Sequence, residues 1–230
     1  MSQPAERPGL DRLQVWGDCL PEPLLQEFQR ALPLKHFARR LREGFPFYRS
    51  TFWVPQGRPA AHVVERVIEV LREAVQPSSA VVGVEWWFSV MRSNATPQWL
   101  LPCHFDRADL DETDPARIRH PEWGSVLFLN AVPYGELAIT DQVLGDKGQP
   151  TPHEPQDMRF VPPAENRYAV FPGQLYHGVI GRMWRPWEDD TLRVTMAVNW
   201  WTQAPTASYL RDSSDAPGIL GFAADKATGA

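Results

Sequence analysis

His104 and Asp106 are separated by a single residue, and a second histidine, His177, lies 71 positions beyond the aspartate. Two imidazoles and one carboxylate form a ligand set that holds a non-haem ferrous ion on one face and leaves other coordination positions open. The spacing has a physical reason. Successive side chains on a strand point to opposite faces, so His104 and Asp106 project together while Cys103 and Phe105 turn the other way into apolar packing. Three ligands on one flat strand could not converge on a facial triangle, so the third must come from a different strand. The chain between Asp106 and His177 is long enough to cross a barrel and return.

The surrounding texture supplies such strands. From Ala80 onward, short β-rich segments alternate with Pro, Gly and Asp turns. They predict strands at Val81–Met91, Leu100–Phe105, Ser125–Asn130, Glu136–Ile139, Met158–Val161, Arg167–Phe171, His177–Ile180 and Arg193–Trp201. Before them, Leu24, Leu25, Phe28, Leu32, Phe37 and Leu41 mark helical turns between Glu22 and Glu43, broken near Pro33 and stopped at Gly44. A clearer helix runs from about Ala60 to Ala74. There Val63, Val64, Val67, Ile68 and Leu71 form one apolar stripe, with Glu65, Arg66, Glu69 and Arg72 on the other side.

These elements predict a mainly β fold with N-terminal helices, a double-stranded β-helix or jelly-roll barrel. The division expected is 1–78 for a helical support region, 79–206 for the jelly-roll core and 207–230 for a C-terminal tail, all one domain. The first eleven residues read as a flexible tail, and the stretch from Ala207 as an ordered hook followed by a loose end.

Composition narrows the class. A chain of 230 residues with 43% hydrophobic content can bury one sizeable core. A formal charge of -5 lacks the basic footprint of a nucleic-acid binder. No window approaches a membrane span, and the polar start lacks the pattern of a secretion signal, which gives a cytoplasmic expectation. Cys19 and Cys103 read as reduced, packed thiols. His36, His62, His120 and His153 fall in helices or polar loops and read as solvated residues without chemistry. No Gly-rich dinucleotide loop, P-loop, Gly-x-Ser-x-Gly elbow or His-Glu-x-x-His helix occurs.

Five elements in order carry a family resemblance: His104-Phe105-Asp106, Tyr134-Gly135-Glu136-Leu137, the run Arg167-Tyr168-Ala169-Val170-Phe171-Pro172-Gly173, His177, and Leu192-Arg193-Val194-Thr195. Together they resemble the iron(II)/2-oxoglutarate-dependent dioxygenases, most closely the prolyl-hydroxylase-type branch, over roughly Val81 to Thr202. The resemblance implies His104, Asp106 and His177 as iron ligands. It implies Arg193, 16 residues after His177, as the cation that grips the far carboxylate of 2-oxoglutarate, with Thr195 as a second donor on the same face. Arg182 and Arg185 compete for that role, and a plain salt bridge is the other reading of Arg193. The cofactors implied are Fe(II), 2-oxoglutarate as cosubstrate and O2, with ascorbate as an optional addition that sustains activity. The activity implied is hydroxylation of an unactivated C–H bond, with release of succinate and CO2. Desaturation and cyclisation stay open. The carboxylate of Asp106 sets the chain apart from halogenating relatives, and Asn199 at the sixth position after Arg193 sets it apart from the nucleic-acid demethylases, which carry a second arginine there.

The expected partner is therefore an amino-acid, peptide or small natural-product substrate, with no nucleic acid and no membrane; the oligomeric state is left open. Ten Trp residues point to a barrel plugged by large rings. The segments Arg107–Trp123 and Arg182–Asp190 read as loops at the barrel mouth. There Trp184 and Trp187 are candidates for an apolar substrate wall, and Arg185 for a carboxylate contact. Two other readings remain: a cupin-like iron dioxygenase that does not use 2-oxoglutarate, and a jelly roll that binds a ligand without turnover.

Overall fold

The structure, a computed structural model, describes residues 9–44, 50–92, 99–107, 118–146, 148–181, 192–206 and 210–222. In chain order the described strands are β1 (Gln14–Trp16), β2 (Phe52–Pro55), β3 (Gly83–Arg92), β4 (Trp99–His104), β5 (Trp123–Phe128), β6 (Glu136–Thr140), β7 (Val143–Leu144), β8 (Pro150–Thr151), β9 (Met158–Val161), β10 (Arg167–Pro172), β11 (His177–Ile180), β12 (Leu192–Trp201) and β13 (Arg211–Asp212). The helices are α1 (Glu22–Ala31), α2 (Leu34–Arg42), α3 (Val63–Val75) and α4 (Ala216–Leu220).

Two sheets face each other. The major sheet has the order β1-β10-β5-β12-β3-β2-β13 and the minor sheet β4-β11-β6-β9, with β7 and β8 as a separate hairpin. Within the core, β3, β5, β10 and β12 lie in one sheet and β4, β6, β9 and β11 in the other, so the chain crosses between sheets at almost every connection. All pairings among these strands are antiparallel. This is the jelly-roll topology expected from the sequence, and each of the eight predicted strands overlaps one of these core strands.

Alternation along β12 divides the molecule into two interiors. Val194, Met196, Val198 and Trp200 pack under the helices; Arg193, Thr195, Ala197 and Asn199 face the opposite sheet. On the helical side, the α3 stripe of Val63, Val64, Val67, Ile68 and Leu71 is buried against this face of the sheet. Phe28 and Phe37 from α1 and α2 meet Phe88 at ring-centroid distances of 6.1 and 5.3 Å, and Phe88 meets Trp86 at 5.6 Å. Burying each such ring is worth about 1.5–3 kcal/mol, so this layer carries most of the hydrophobic stabilisation. One hydroxyl joins three of its polar groups: Ser125 Oγ accepts from Tyr168 Oη at 2.8 Å and from Trp200 Nε1 at 3.2 Å, and donates to the Val198 carbonyl at 2.6 Å.

The second interior lies between the sheets. Phe128, Leu137, Ile139, Val161, Ala169, Phe171 and Leu175 fill it. Leu10, read from sequence as part of a flexible tail, belongs to this cluster at 8% exposure. It sits in a 3-10 turn, Leu10–Arg12, that leads into β1. Residues 1–8 lie outside the described residues.

The stretch read as helical support also supplies β1 and β2 to the major sheet. On the C-terminal side, β13 pairs in parallel with β2, and α4 follows. His62, expected to be solvated, is buried under this segment; its Nε2 lies 2.9 Å from the Ser213 carbonyl. Arg58 binds both Asp212 and Glu65, which ties the segment to α3. No described helix is long and apolar enough to cross a membrane.

Candidate metal centre and anion pocket

His104 ends β4 and His177 begins β11, and the two residues are directly paired in the antiparallel register of the minor sheet. Close approach of the strands here requires a glycine. A Cβ on Gly178 would lie 2.8 Å from the Leu101 carbonyl oxygen and 2.9 Å from the Cys103 amide nitrogen. The imidazole rings are 4.6 Å apart between centroids. Asp106, two residues past His104, places its carboxylate between them, with Oδ1 3.6 Å from His104 Nε2 and Oδ2 3.4 Å from His177 Nε2. The three ligand atoms lie within 4.8 Å of one another, so one cation can touch all three.

The ring orientations suit a metal. His104 Nδ1 lies 3.0 Å from the Pro102 carbonyl and His177 Nδ1 2.9 Å from the Leu175 carbonyl. Each carbonyl accepts the Nδ1 proton, which leaves Nε2 of both rings as the free lone pair facing the carboxylate. Burial works to raise the Asp106 carboxyl's pKa. The facing His177 and His104 rings and a hydrogen bond from Asn199 outweigh it and hold the group well below the usual carboxylate range. Burial works to lower His177, but the Asp106 charge and hydrogen bond raise it above its ordinary value. His104 is lowered by burial and by its neighbour His177. A bound cation would face both Nε2 lone pairs and the Asp106 carboxylate, and protonation of His177 would compete with it.

Behind the triad a narrow cavity runs between the sheets, lined by Trp87, Ser89, Val126, Leu137 and Ala197, with Arg193 and Thr195. Arg193 is 1% exposed. Its Nε donates to the Gly135 carbonyl at 2.7 Å and its Nη1 to Thr195 Oγ1 at 3.2 Å, and the guanidinium lies 5.3 Å from the Phe128 ring centroid. Gly135, at φ +87°, has to be glycine for two reasons: its backbone is left-handed, and a Cβ there would lie 2.5 Å from Arg193 Cδ. Among the described residues no carboxylate pairs with Arg193, and burial alone pushes its pKa down to about 9. A buried cation without a counter-charge is costly, so an anionic ligand fits this end of the cavity.

Several sequence-level readings can now be placed. His104, Asp106 and His177 converge, and Arg193 and Thr195 meet on one face as the strand alternation requires. Trp184, Arg185 and Trp187, with the competing Arg182, lie outside the described residues, as do 108–117 of the other mouth loop. Cys19 and Cys103 are free, half-buried thiols, and burial pushes each up to about 11. His120, expected to be solvated, is half-buried and its Nδ1 lies 2.7 Å from the Asp106 carbonyl oxygen, so it braces the ligand's backbone. Glu85 and Asn199 were not singled out for the site, yet both are buried beside it. Their signal was available: each is a polar residue on the same alternating face as Arg193 and Thr195 in an otherwise apolar strand.

No family model and no curated protein sequence matches the chain. Among solved structures, a Pseudomonas putida prolyl-4-hydroxylase aligns over 84% of this chain and 93% of its own, at 16% identity and a TM-score of 0.44. AviO1 from Streptomyces viridochromogenes aligns over 87% and 93%, at 13% identity and a TM-score of 0.49. HygX from Streptomyces hygroscopicus, solved with nickel and 2-oxoglutarate bound, aligns over 87% and 84%, at 13% identity and a TM-score of 0.45. The chain is similar to these structures across most of its length, and its own His104, Asp106 and His177 form an intact triad.

Proposed function

We propose that this chain is an Fe(II)/2-oxoglutarate-dependent oxygenase that hydroxylates an unactivated C–H bond of an amino-acid, peptide or small natural-product substrate. The observation that carries this reading is the pairing, in one cavity, of a triad suited to a dication with a buried guanidinium that has no carboxylate partner among the described residues. A dicarboxylate cosubstrate answers both ends, with one end on the metal and the other on Arg193. A cupin-like iron dioxygenase that needs no such cosubstrate would leave Arg193 buried without purpose. A barrel that only binds ligand would not need three convergent metal ligands.

In this reading His104, Asp106 and His177 would hold Fe(II), which would supply the activation of O2 when bound. Arg193 and the Thr195 hydroxyl orient the far carboxylate of 2-oxoglutarate. Val126, Leu137 and Ala197 keep water from the space between, and an apolar, low-dielectric wall strengthens the Arg193 contact. The overall balance is 2-oxoglutarate, O2 and substrate going to succinate, CO2 and hydroxylated substrate. The reaction would take place at the triad, where the side chain of His104 is 38% exposed and substrate can approach.

The test is a substrate screen that follows succinate release from 2-oxoglutarate by the Fe(II)-loaded protein. Succinate formation that needs both iron and substrate, and that is lost in Asp106→Ala, supports the reading. Substrate oxidation that proceeds with iron but without 2-oxoglutarate would replace it with the cupin-like alternative.

A further inference from the structure

Asp106 lies beyond the reach of the sheet that holds its two partners. The register of β4 against β11 ends with His104 opposite His177, and among the described residues no strand pairs with 105–107. A metal ligand two residues past the last ladder position needs another hold, because coordination tolerates only about ±0.2 Å in ligand distance.

Three half-buried rings supply that hold from the side away from the cation. Strand alternation turns Phe105 in the opposite direction from His104 and Asp106. Its ring meets that of Tyr176, the residue before His177, at a centroid distance of 4.7 Å, and meets His120 edge-on at 6.0 Å. His120 Nδ1 in turn lies 2.7 Å from the Asp106 carbonyl oxygen. A carbonyl only accepts, so Nδ1 carries the proton and donates. Tyr176 is the fixed end of this chain of contacts. Its amide donates to the Gln142 carbonyl at 2.9 Å, and its carbonyl accepts from the Thr140 amide at 2.9 Å and from Thr140 Oγ1 at 3.1 Å. Contact therefore runs without a break from the end of β6, through Tyr176, Phe105 and His120, to the backbone of Asp106. None of the three rings lines the cavity behind the triad.

We propose that Tyr176, Phe105 and His120 form an aromatic clasp that sets the position of Asp106 relative to the two histidines, with His120 as the positioning residue that holds the Asp106 backbone. The proposal rests on the reading of the triad as a metal centre. Each member of the clasp is tied to the ligand set at a different point: Phe105 separates His104 from Asp106, Tyr176 precedes His177, and His120 bonds Asp106 directly. The clasp contributes no ligand atom. It holds the carboxylate-bearing residue in place before the cation arrives, so that binding need not order it. Partners that orient a ligand in this way typically change metal affinity by about 10- to 100-fold when removed.

The experiment is a titration of Co(II) into the metal-free protein, followed by calorimetry and by the visible absorption of the bound ion. His120→Ala is expected to weaken Co(II) binding by about 10- to 100-fold and to change the visible band as Asp106 loses its fixed place. Phe105→Ala should move both readouts in the same direction. His120→Asn keeps an N–H donor near the position of Nδ1 and is expected to bind Co(II) with near-wild-type affinity; a loss as large as that of His120→Ala would overturn the role given to the hydrogen bond. A purely structural role would lower the melting temperature of the metal-free protein and leave the Co(II) affinity and spectrum of the folded fraction at wild-type values. That result in His120→Ala overturns the proposal. If His120→Ala does not fold, Tyr176→Leu asks the same question from the other end of the clasp, and wild-type affinity and spectrum there overturn it equally. Asp106→Ala run beside these variants separates the two readings. Loss of Co(II) in Asp106→Ala with no effect in the clasp variants removes only the positioning role, whereas unchanged binding by Asp106→Ala removes the metal centre with it.

Discussion

At the mouth of the inter-sheet cavity, His104, Asp106 and His177 sit at or just past the ends of two minor-sheet strands, and the His104 side chain is 38% exposed. At the other end, Arg193 comes from β12 of the major sheet and is 1% exposed. The mouth carries its own counter-charge: the Asp106 carboxylate lies between the two imidazoles, where a cation would stand. The far end does not, because a guanidinium held by a carbonyl and a hydroxyl keeps its full charge in an apolar wall. A site that carries its own counter-charge can exchange a cation for a proton. Among the described residues no carboxylate faces Arg193, and an anion entering through the cavity would supply the counter-charge.

The strongest way to break this comparison is at the mouth. Asp106→Ala removes the only carboxylate of the triad and is expected to abolish measurable Fe(II) or Co(II) binding in calorimetry; unchanged binding would remove the triad as a metal centre. The helical layer supplies the contrast. Phe88→Ala should cost about 3–5 kcal/mol of stability in a denaturant titration, because its ring packs against Phe28, Phe37 and Trp86. The folded fraction should still bind metal with near-normal affinity, since no part of that ring faces the cavity.

Changes of pH act on the mouth with a definite sign. His177 carries a raised pKa, so metal affinity should fall about tenfold per unit as pH drops below that value and the imidazolium competes. For the metal-free protein, the His177 contribution to stability is present below the ordinary 6.5 and is lost as pH rises through the raised folded value. The Asp106 contribution is present above 3.8 and is lost as pH falls toward the depressed value. Glu85 works against folding. Burial, then the Asp106 charge, raises it from 4.5 to about 7, so the folded state holds a proton the unfolded chain releases. Metal-free stability should therefore decline from about pH 4.5 to neutrality, by up to about 3 kcal/mol. Glu85→Gln should flatten that limb in thermal melts recorded across the range.

The smallest effect expected lies at the far end. Thr195→Val removes one hydroxyl and should weaken 2-oxoglutarate binding by about 0.5–1.5 kcal/mol. A loss as large as that of an arginine variant would mean the hydroxyl, not the guanidinium, dominates recognition.

What was legible in the sequence followed from periodicity. The i, i+2 step brought His104 and Asp106 to one point, the alternation of β12 set Arg193 beside Thr195, and the α3 stripe predicted a buried helix face. Elements whose identity depends on tertiary partners were not legible. The strands β1, β2 and β13 are two to four residues long and exist because the major sheet offers them an edge. Leu10 is buried because the two sheets leave room for it. His120 and His62 were misread for a related reason: polar surroundings in sequence say nothing of which carbonyl a folded chain will bring to an imidazole. Glu85 and Asn199 share the face that revealed Arg193, but only the register of β3 against β12 sets them opposite each other.

The central claim is that Arg193 awaits the second carboxylate of a metal-bound dicarboxylate. Titration of 2-oxoglutarate into the Ni(II)-loaded protein, with wild type and Arg193→Met side by side, tests it most directly. The account predicts one molecule bound per chain in wild type and a loss of about 2–5 kcal/mol in the variant. Nickel affinity should be unchanged and metal-free stability equal or higher, because a buried unpaired charge has been removed. Equal 2-oxoglutarate affinity in the two proteins would contradict it.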